Sequence, residues 1–288
     1  MNLNLFSKGY GSPLTPTHDC FSKPPFFTGM KLYVRPMLLG SGQQLGLYPS
    51  PEFSLLFFVS PTGNYFKGSA GGLNLHLETN RSRAARGGVG NVKCAGNYAV
   101  ALRPLIDAKK QGFQDNLFLE LETYEPGQLK KAVLQEMSAA NVFLVLKSGE
   151  IVTPSLKRGT ILPGITRESV LAIINKFSVE IQSSMAESTS GNNANTVTAV
   201  ERDVTVADLE DATEAFCTGT AAELVPIARL ATGEGEEEFE VNFPHGKTST
   251  GPVTAKLLDL LRKVMYGELV VEEDWLRDPY DTATKFCE

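Results

Sequence analysis

The stretch Gly87–Tyr98, GGVGNVKCAGNY, sets one lysine, Lys93, behind three glycines and ahead of Cys94, Gly96, Asn97 and Tyr98. Glycine at such positions marks a tight turn or a close backbone approach. A lysine held in a walled cavity has its amine partly deprotonated and is suited to a Schiff base with a carbonyl cofactor. The same spacing also suits a surface turn with the amine in solvent. A second candidate is Glu136 in QEMSAANVF, with an apolar neighbourhood and small residues Ser138, Ala139 and Ala140 just beyond it. A buried carboxylate needs a cation or donors, whereas one on an exposed strand edge needs neither. Three further places suit an anion. In RGTILPGITRES, Arg158 to Ser169, a Pro163-Gly164 turn precedes a helix over Val170–Phe177 that Thr166 is placed to cap, and amides at a helix start hold phosphate. In CTGTAAELVPI, Thr218 and Thr220 lie on a hydroxyl-rich glycine loop. In ETNRSRAAR, Arg81, Arg83 and Arg86 either face solvent or turn a guanidinium onto phosphate oxygens. Tyr33 and Arg35, two apart in KLYVRP, share one strand face.

Composition bounds what these residues serve. The 288 residues carry a formal net charge of −6, which argues against a general nucleic-acid or acidic-membrane surface. The cysteines at 20, 94, 217 and 287 are far apart and share no metal-ligand spacing with His18, His76 and His245, so no metal is expected. No apolar run is long enough for a membrane span, and the first residues lack the basic and apolar regions of a secretory signal. A soluble intracellular protein is expected, with cytoplasm, plastid and mitochondrion all open.

The elements that must position these groups are partly readable. Strands are expected from Lys31 to Pro36, over Phe53–Val59 with Asn64–Lys67 continuing the sheet, over Leu73–Leu77, Asn116–Leu121, the second half of Lys131–Leu146, and Ile151–Thr153. Residues 78–86 break the pattern and read as a link between two domains. A helix is expected from Ala99, bent near Pro104 and ended by Gly112. Residues 182–198 read as a flexible insertion. Thr205 and Asp208 resemble a capping box before a helix face of Leu209, Ala212, Ala215 and Phe216. GEGEEEFE reads as a solvated turn and strand entry, and Val253–Met265 as an amphipathic helix ending at Gly267.

Taken in order, YVRP, SRA..GG.GN.K..GNYA, QE....N.F, GTILPGITR, ERDVTV..L, FCTGTA and a late GP closely resemble the branched-chain amino-acid aminotransferases of the fold-type IV pyridoxal-phosphate class, the plant-like members above all. The resemblance implies an α+β protein: an incomplete small α/β domain with an irregular N-terminus over 1–79, then the large cofactor-binding domain over 80–288. It implies pyridoxal 5′-phosphate carried on Lys93, with Tyr98 near its phenolic oxygen and Glu136 accepting from its ring nitrogen. Arg83, Ile165, Thr166 and Thr220 are expected around the phosphate. Tyr33 and Arg35 are expected at the active-site rim, with Ala221 and Thr220 by the substrate carboxylate. The implied reaction moves an amino group between leucine, isoleucine or valine and 2-oxoglutarate, giving branched 2-oxo acids and glutamate, in a homodimer. Full members carry a far longer segment before YxRP, so the small domain is expected to be shortened here. The cysteine pair of animal members is replaced by Ala222 and Val225. Two rivals remain: another fold-type IV aminotransferase or lyase, and a catalytically impaired member that binds cofactor or depends on a partner.

Overall fold

The YVRP and FSLLFFV runs pair with each other. β1 (Lys31–Ser41) and β2 (Glu52–Thr62) form an antiparallel ribbon in register from Lys31↔Thr62 to Ser41↔Glu52. β1 continues past Pro36, where the sequence suggests an end, because each strand of a two-stranded ribbon has an open edge that tolerates a missing N–H. The computed structural model describes residues 31–62, 71–186, 197–245, 250–272 and 275. The expected strand at Asn64–Lys67 lies outside them.

Of the described residues, 31–62 belong to one compact unit and those from 71 onward to another. β3 (Leu73–Glu78) therefore goes with the larger unit, although the pattern break after it suggests a boundary at 79/80. Its neighbours explain this: β3 pairs in parallel with both β4 (Asp115–Leu119) and β10 (Glu223–Ala231), inside a large sheet. The remaining strands are β5 (Leu134–Met137), β6 (Asn141–Leu146), β7 (Glu150–Pro154), β8 (Thr198–Arg202), β9 (Ala212–Gly219) and β11 (Glu240–Asn242), and the order is β5-β4-β3-β10-β9-β6-β7-β8 with β11 beside β10. In a flat sheet β5 and β6 would stand five strand spacings apart, roughly 24 Å. Yet only Ser138, Ala139 and Ala140 join them, in a tight turn closed by Met137 N–H donating to Ala140 O at 2.9 Å. The sheet must curl until these strands meet, and the inner corner of that curl holds Glu136.

Helices cover the curled sheet. α1 is Ala95–Lys110, α2 Ile165–Lys176, α3 Ser178–Ala186, α4 Val206–Asp211 and α5 Pro252–Met265. Val170, Ile173 and Ile174 of α2 join Leu257, Leu260, Leu261 and Val264 of α5 in one core with Phe143 and Phe216. Those two rings stack at 5.1 Å across the β6–β9 pairing. β6 is buried along its whole length, which is why NVFLVL is a continuous apolar run rather than an alternating one.

Several expectations change. The helix after Thr205 stops at Asp211, and Ala212, Ala215 and Phe216 lie on β9 instead. The capping box does form, but the pull of β6 and β10 on both edges of ATEAFCTG outweighs helix continuation. Residues 178–186 are helical and 198–202 are strand, so the expected insertion narrows to 187–196, outside the described residues. The acidic GEGEEE turn is exposed at Glu234, Gly235 and Glu238, as expected, and tied down at Glu236 and Glu237. Glu236 faces His76 Nε2 at 3.0 Å and accepts from Asn80, while Glu237 accepts from the Gly127 amide at 2.9 Å. Among the described residues no helix is long and apolar enough to cross a membrane.

Candidate active site

Lys93 is held by a backbone built from its own motif. Gly87 takes φ +74, a left-handed conformation that favours glycine. At Gly90 a side chain has no room, because a Cβ would sit 2.6 Å from Ala84 Cβ and 2.8 Å from Thr160 O. The close approach foreseen for the glycines is thus made by Gly90 against the strand-to-helix loop at Thr160. Buried Asn97 then donates to the carbonyls of Val89 and Val92, both at 2.7 Å, and staples the turn to the start of α1. That helix begins at Ala95, earlier than the apolar pattern suggests, and runs through Pro104. One turn along it, Tyr98 accepts a 2.9 Å hydrogen bond at its hydroxyl from Lys93 Nζ. The lysine side chain remains exposed, so its amine is reachable.

Glu136 is the buried acid of the pair of alternatives. Its side chain is 3% exposed, and three donors converge on it. Oε1 receives Arg83 Nη1 at 2.9 Å and the Leu162 amide at 2.8 Å; Oε2 receives Asn141 Nδ2 at 2.8 Å. Burial pushes the carboxyl up to about 7, against the lowering pull of the Arg83 charge, the Leu162 N–H and the Lys93 charge.

The three arginines separate cleanly. Arg81 pairs with Asp107 on α1 and Arg86 with Glu120. Only Arg83 is buried, and besides Glu136 it donates to Thr160 O at 3.3 Å and Gly90 O at 3.5 Å. Its Nη1 is therefore turned onto a carboxylate and two carbonyls rather than left for phosphate oxygens.

The other expected anion holders lie at the ends of α2 and β9. Gly164, not Thr166, is the N-cap of α2, which starts at Ile165. Ile165 and Thr166 thus stand in the first turn, whose amides have no carbonyl within the helix to bond. The TGTA loop reaches the same corner through the sheet: Asn141 of β6 pairs with Thr218 of β9. Thr218 is buried with an unpartnered Oγ1, whereas Thr220 is exposed in the turn that follows, with Ala221 beside it half-buried. In the other unit, Tyr33 Oη accepts from Arg35 Nη2 at 2.6 Å, so the two share a face as their spacing requires.

Sequence reasoning passed over Asn97 and Asn141. Each amide divides its donors between two partners, and each stands within a motif already quoted, GNY and QE....N.F; for Asn141 a polar amide at the start of an apolar strand was the available signal. Among the described residues no group of His, Cys, Asp and Glu is placed to hold a metal.

Residues 18–230 match the family described as Amino-transferase class IV. The chain is 38% identical over 252 residues to a chloroplastic branched-chain amino acid aminotransferase 2 of Humulus lupulus, covering 88% of this chain and 53% of that protein. It is 36% identical over 244 residues to a methionine aminotransferase of Arabidopsis thaliana, covering 85% of this chain and 59% of that one. It thus spans little more than half the length of these curated relatives. Among solved structures, a branched-chain aminotransferase from Thermoproteus uzoniensis with norvaline superposes with a TM-score of 0.62 at 26% identity, over 85% of this chain and 67% of that one. A curled mixed sheet bearing these motifs in this order, matched over the greater part of its length, makes this chain a member of the class IV aminotransferase family.

Proposed function

We propose that the chain binds pyridoxal 5′-phosphate and transfers an amino group between leucine, isoleucine or valine and 2-oxoglutarate, yielding branched 2-oxo acids and glutamate. The observation that carries this reading is the state of Glu136. A carboxylate offers about four acceptor directions, and three are taken, two on Oε1 and one on Oε2. Oε2 keeps one direction for a protonated ring nitrogen, and a carboxyl that burial has pushed up to about 7 gains most from a cationic donor. The donor set fits the rest of the cofactor: a reachable amine at Lys93 for its aldehyde, the Tyr98 hydroxyl beside that amine, and first-turn amides at Ile165 and Thr166 for its phosphate.

When bound, pyridoxal phosphate supplies an electron sink for the charge left as the α-proton departs. Lys93 is the covalent anchor and, once displaced, the base that carries the proton. Tyr98 orients the Lys93 amine. Arg83 has one nitrogen, Nη1, on Glu136 and a buried Nε with no partner, so we assign it both to keeping that carboxylate ionised and, with Ile165, Thr166 and Thr220, to the phosphate. Tyr33, Arg35 and Ala221 stay assigned to the substrate side, and a homodimer is retained as the working assembly. Branched substrates are supported by the names of the hop and Thermoproteus relatives. The methionine aminotransferase supports a second reading in which an unbranched thioether side chain is the donor.

The test is a coupled assay on purified chain with 2-oxoglutarate and, in turn, leucine, isoleucine, valine and methionine. Absorbance is read before and after borohydride. Glutamate-linked turnover with label trapped on Lys93 is expected. Trapping without turnover selects the impaired, partner-dependent reading, and no trapping at all overturns cofactor binding.

A further inference from the structure

Two ends of a rigid ring must be met by two anchors that come from distant parts of the chain. Glu136 stands on β5 and the first-turn amides of Ile165 and Thr166 on α2. One side chain joins them. Asn141 Nδ2 donates to Glu136 Oε2 at 2.8 Å and to Leu162 O at 2.9 Å, while the Leu162 amide donates back to Glu136 Oε1 at 2.8 Å. The three residues therefore close a cycle of hydrogen bonds. On its other side the same amide presses on the N-cap of α2: a Cβ on Gly164 would lie 2.2 Å from Asn141 Oδ1, with the next closest atoms at 3.4 and 3.6 Å. Asn141 is buried, so no water can take over these bonds at little cost.

We propose that Asn141 is a positioning residue that sets the spacing between the ring-nitrogen anchor and the phosphate anchor, by tying the Glu136 carboxylate to the start of α2. This rests on the cofactor reading above. An aspartate there would lose both donors and set a second carboxylate against the first, and an alanine would free Glu136 and Leu162 from one another. The glycine at 164 belongs to the same device, since it is what lets the amide reach the helix start.

Two readouts separate positioning from plain packing: the titration of Glu136 in the apoprotein, followed by carbon-13 NMR with Glu136→Gln for assignment, and the affinity for pyridoxal 5′-phosphate. Asn141→Ala removes a donor to the ionised carboxylate, so the Glu136 midpoint should rise and the affinity fall about tenfold to hundredfold, the range for a hydrogen bond to a charged group. Gly164→Ala displaces Asn141 and should reproduce both effects. The double variant should be no worse than either single one, because the added methyl fills the space that Asn141 leaves. Gly164→Ala behaving as wild type, fully additive effects, or an unmoved Glu136 midpoint in both single variants would each overturn the assignment. The Glu136 titration needs no cofactor and so judges Asn141 by itself. A wild-type chain that takes up no pyridoxal phosphate overturns instead the reading beneath it.

Discussion

Arg83 Nη1 stands 2.9 Å from Glu136 Oε1, with the two side chains only 2% and 3% exposed. Breaking such a pair from one side leaves an uncompensated charge in the interior, which costs about 3–5 kcal/mol. Arg83→Met should therefore destabilise the chain. With the Glu136 carboxyl at about 7, the loss at pH 8 should exceed that at pH 5 by about 1.4 kcal/mol at most, because Glu136 can take a proton and become neutral instead of staying unpaired. Urea denaturation at the two pH values measures the difference; equal losses would show that the pair is not the source.

Glu136 also sets a pH dependence in the apoprotein. Its carboxyl is raised from 4.5 to about 7, so between those values the folded chain keeps a proton that the unfolded chain has released. The stability it contributes is full below pH 4.5 and is lost as pH rises through 7. A shift of this size corresponds to about 3 kcal/mol. Glu136→Gln should flatten the stability profile between pH 5 and 8, as read from urea midpoints.

Two glycines of the lysine motif should behave oppositely. Gly90→Ala drives a methyl into Thr160 O and Ala84 Cβ, backbone and short side chain that cannot swing away. It should weaken retention of pyridoxal phosphate at least tenfold, because Arg83 bonds the same two carbonyls, Gly90 and Thr160. At Gly96, inside α1, an added Cβ meets nothing within 4 Å. Gly96→Ala should leave retention unchanged and raise stability by about 0.5–1 kcal/mol, since alanine is the better helix former. Equilibrium dialysis and thermal melts report the two effects.

Glu214, on β9, is the cap of a helix distant in sequence. Its carboxylate accepts from the amides of Val253 and Thr254, each at 2.9 Å, and from Thr254 Oγ1 at 2.7 Å. Gly251 before them has no space for a side chain, because Glu214 fills it. Glu214→Ala should lower stability by about 2–4 kcal/mol, since buried amides are left without acceptors. Glu214→Gln, which keeps one carbonyl oxygen, should lose less. Thermal melts of the pair check the order.

His76 lies between Asn116 Oδ1 at 2.9 Å and Glu236 Oε2 at 3.0 Å. Burial opposes its charge, but the Glu236 and Asn116 bonds and the charges of Glu236 and Glu78 together raise its pKa above 6.5. The stability it contributes is then full below pH 6.5 and is lost as pH rises through the folded value. Glu236→Gln should destabilise more at pH 6 than at pH 8.5, which denaturant midpoints can resolve.

Several of these relationships were legible in the chain and several were not. The apolar run at Asn141–Leu146 announced a strand because continuous burial leaves no polar alternation to blur it, whereas Phe53–Val59 was readable from its β-prone residues alone, since its side chains are exposed. The terminal helix over Pro252–Met265 was readable because its apolar residues recur at helical spacing. Ala212–Gly219 misled, since ATEAF suits a helix locally and becomes a strand only when β6 and β10 flank it. GEGEEE was legible in part: Glu234 and Glu238 are exposed as its composition suggests, while Glu236 and Glu237 find His76, Asn80 and the Gly127 amide only after the chain has folded.

Residue type and order, by themselves, singled out the candidate groups: an amine among glycines at Lys93, an acid in apolar surroundings at Glu136, a turn before a helix at Pro163-Gly164, and a threonine loop at Thr218–Thr220. Those features are local and need no knowledge of what lies opposite. Tertiary structure alone decided how they are joined. Only the curl of the sheet, forced by the short turn from β5 to β6, brings Glu136 under Arg83, Asn141 and the Leu162 amide. A carboxylate's partners and its affinity for a proton are set by what surrounds it in space, and that neighbourhood is assembled from segments far apart in the chain.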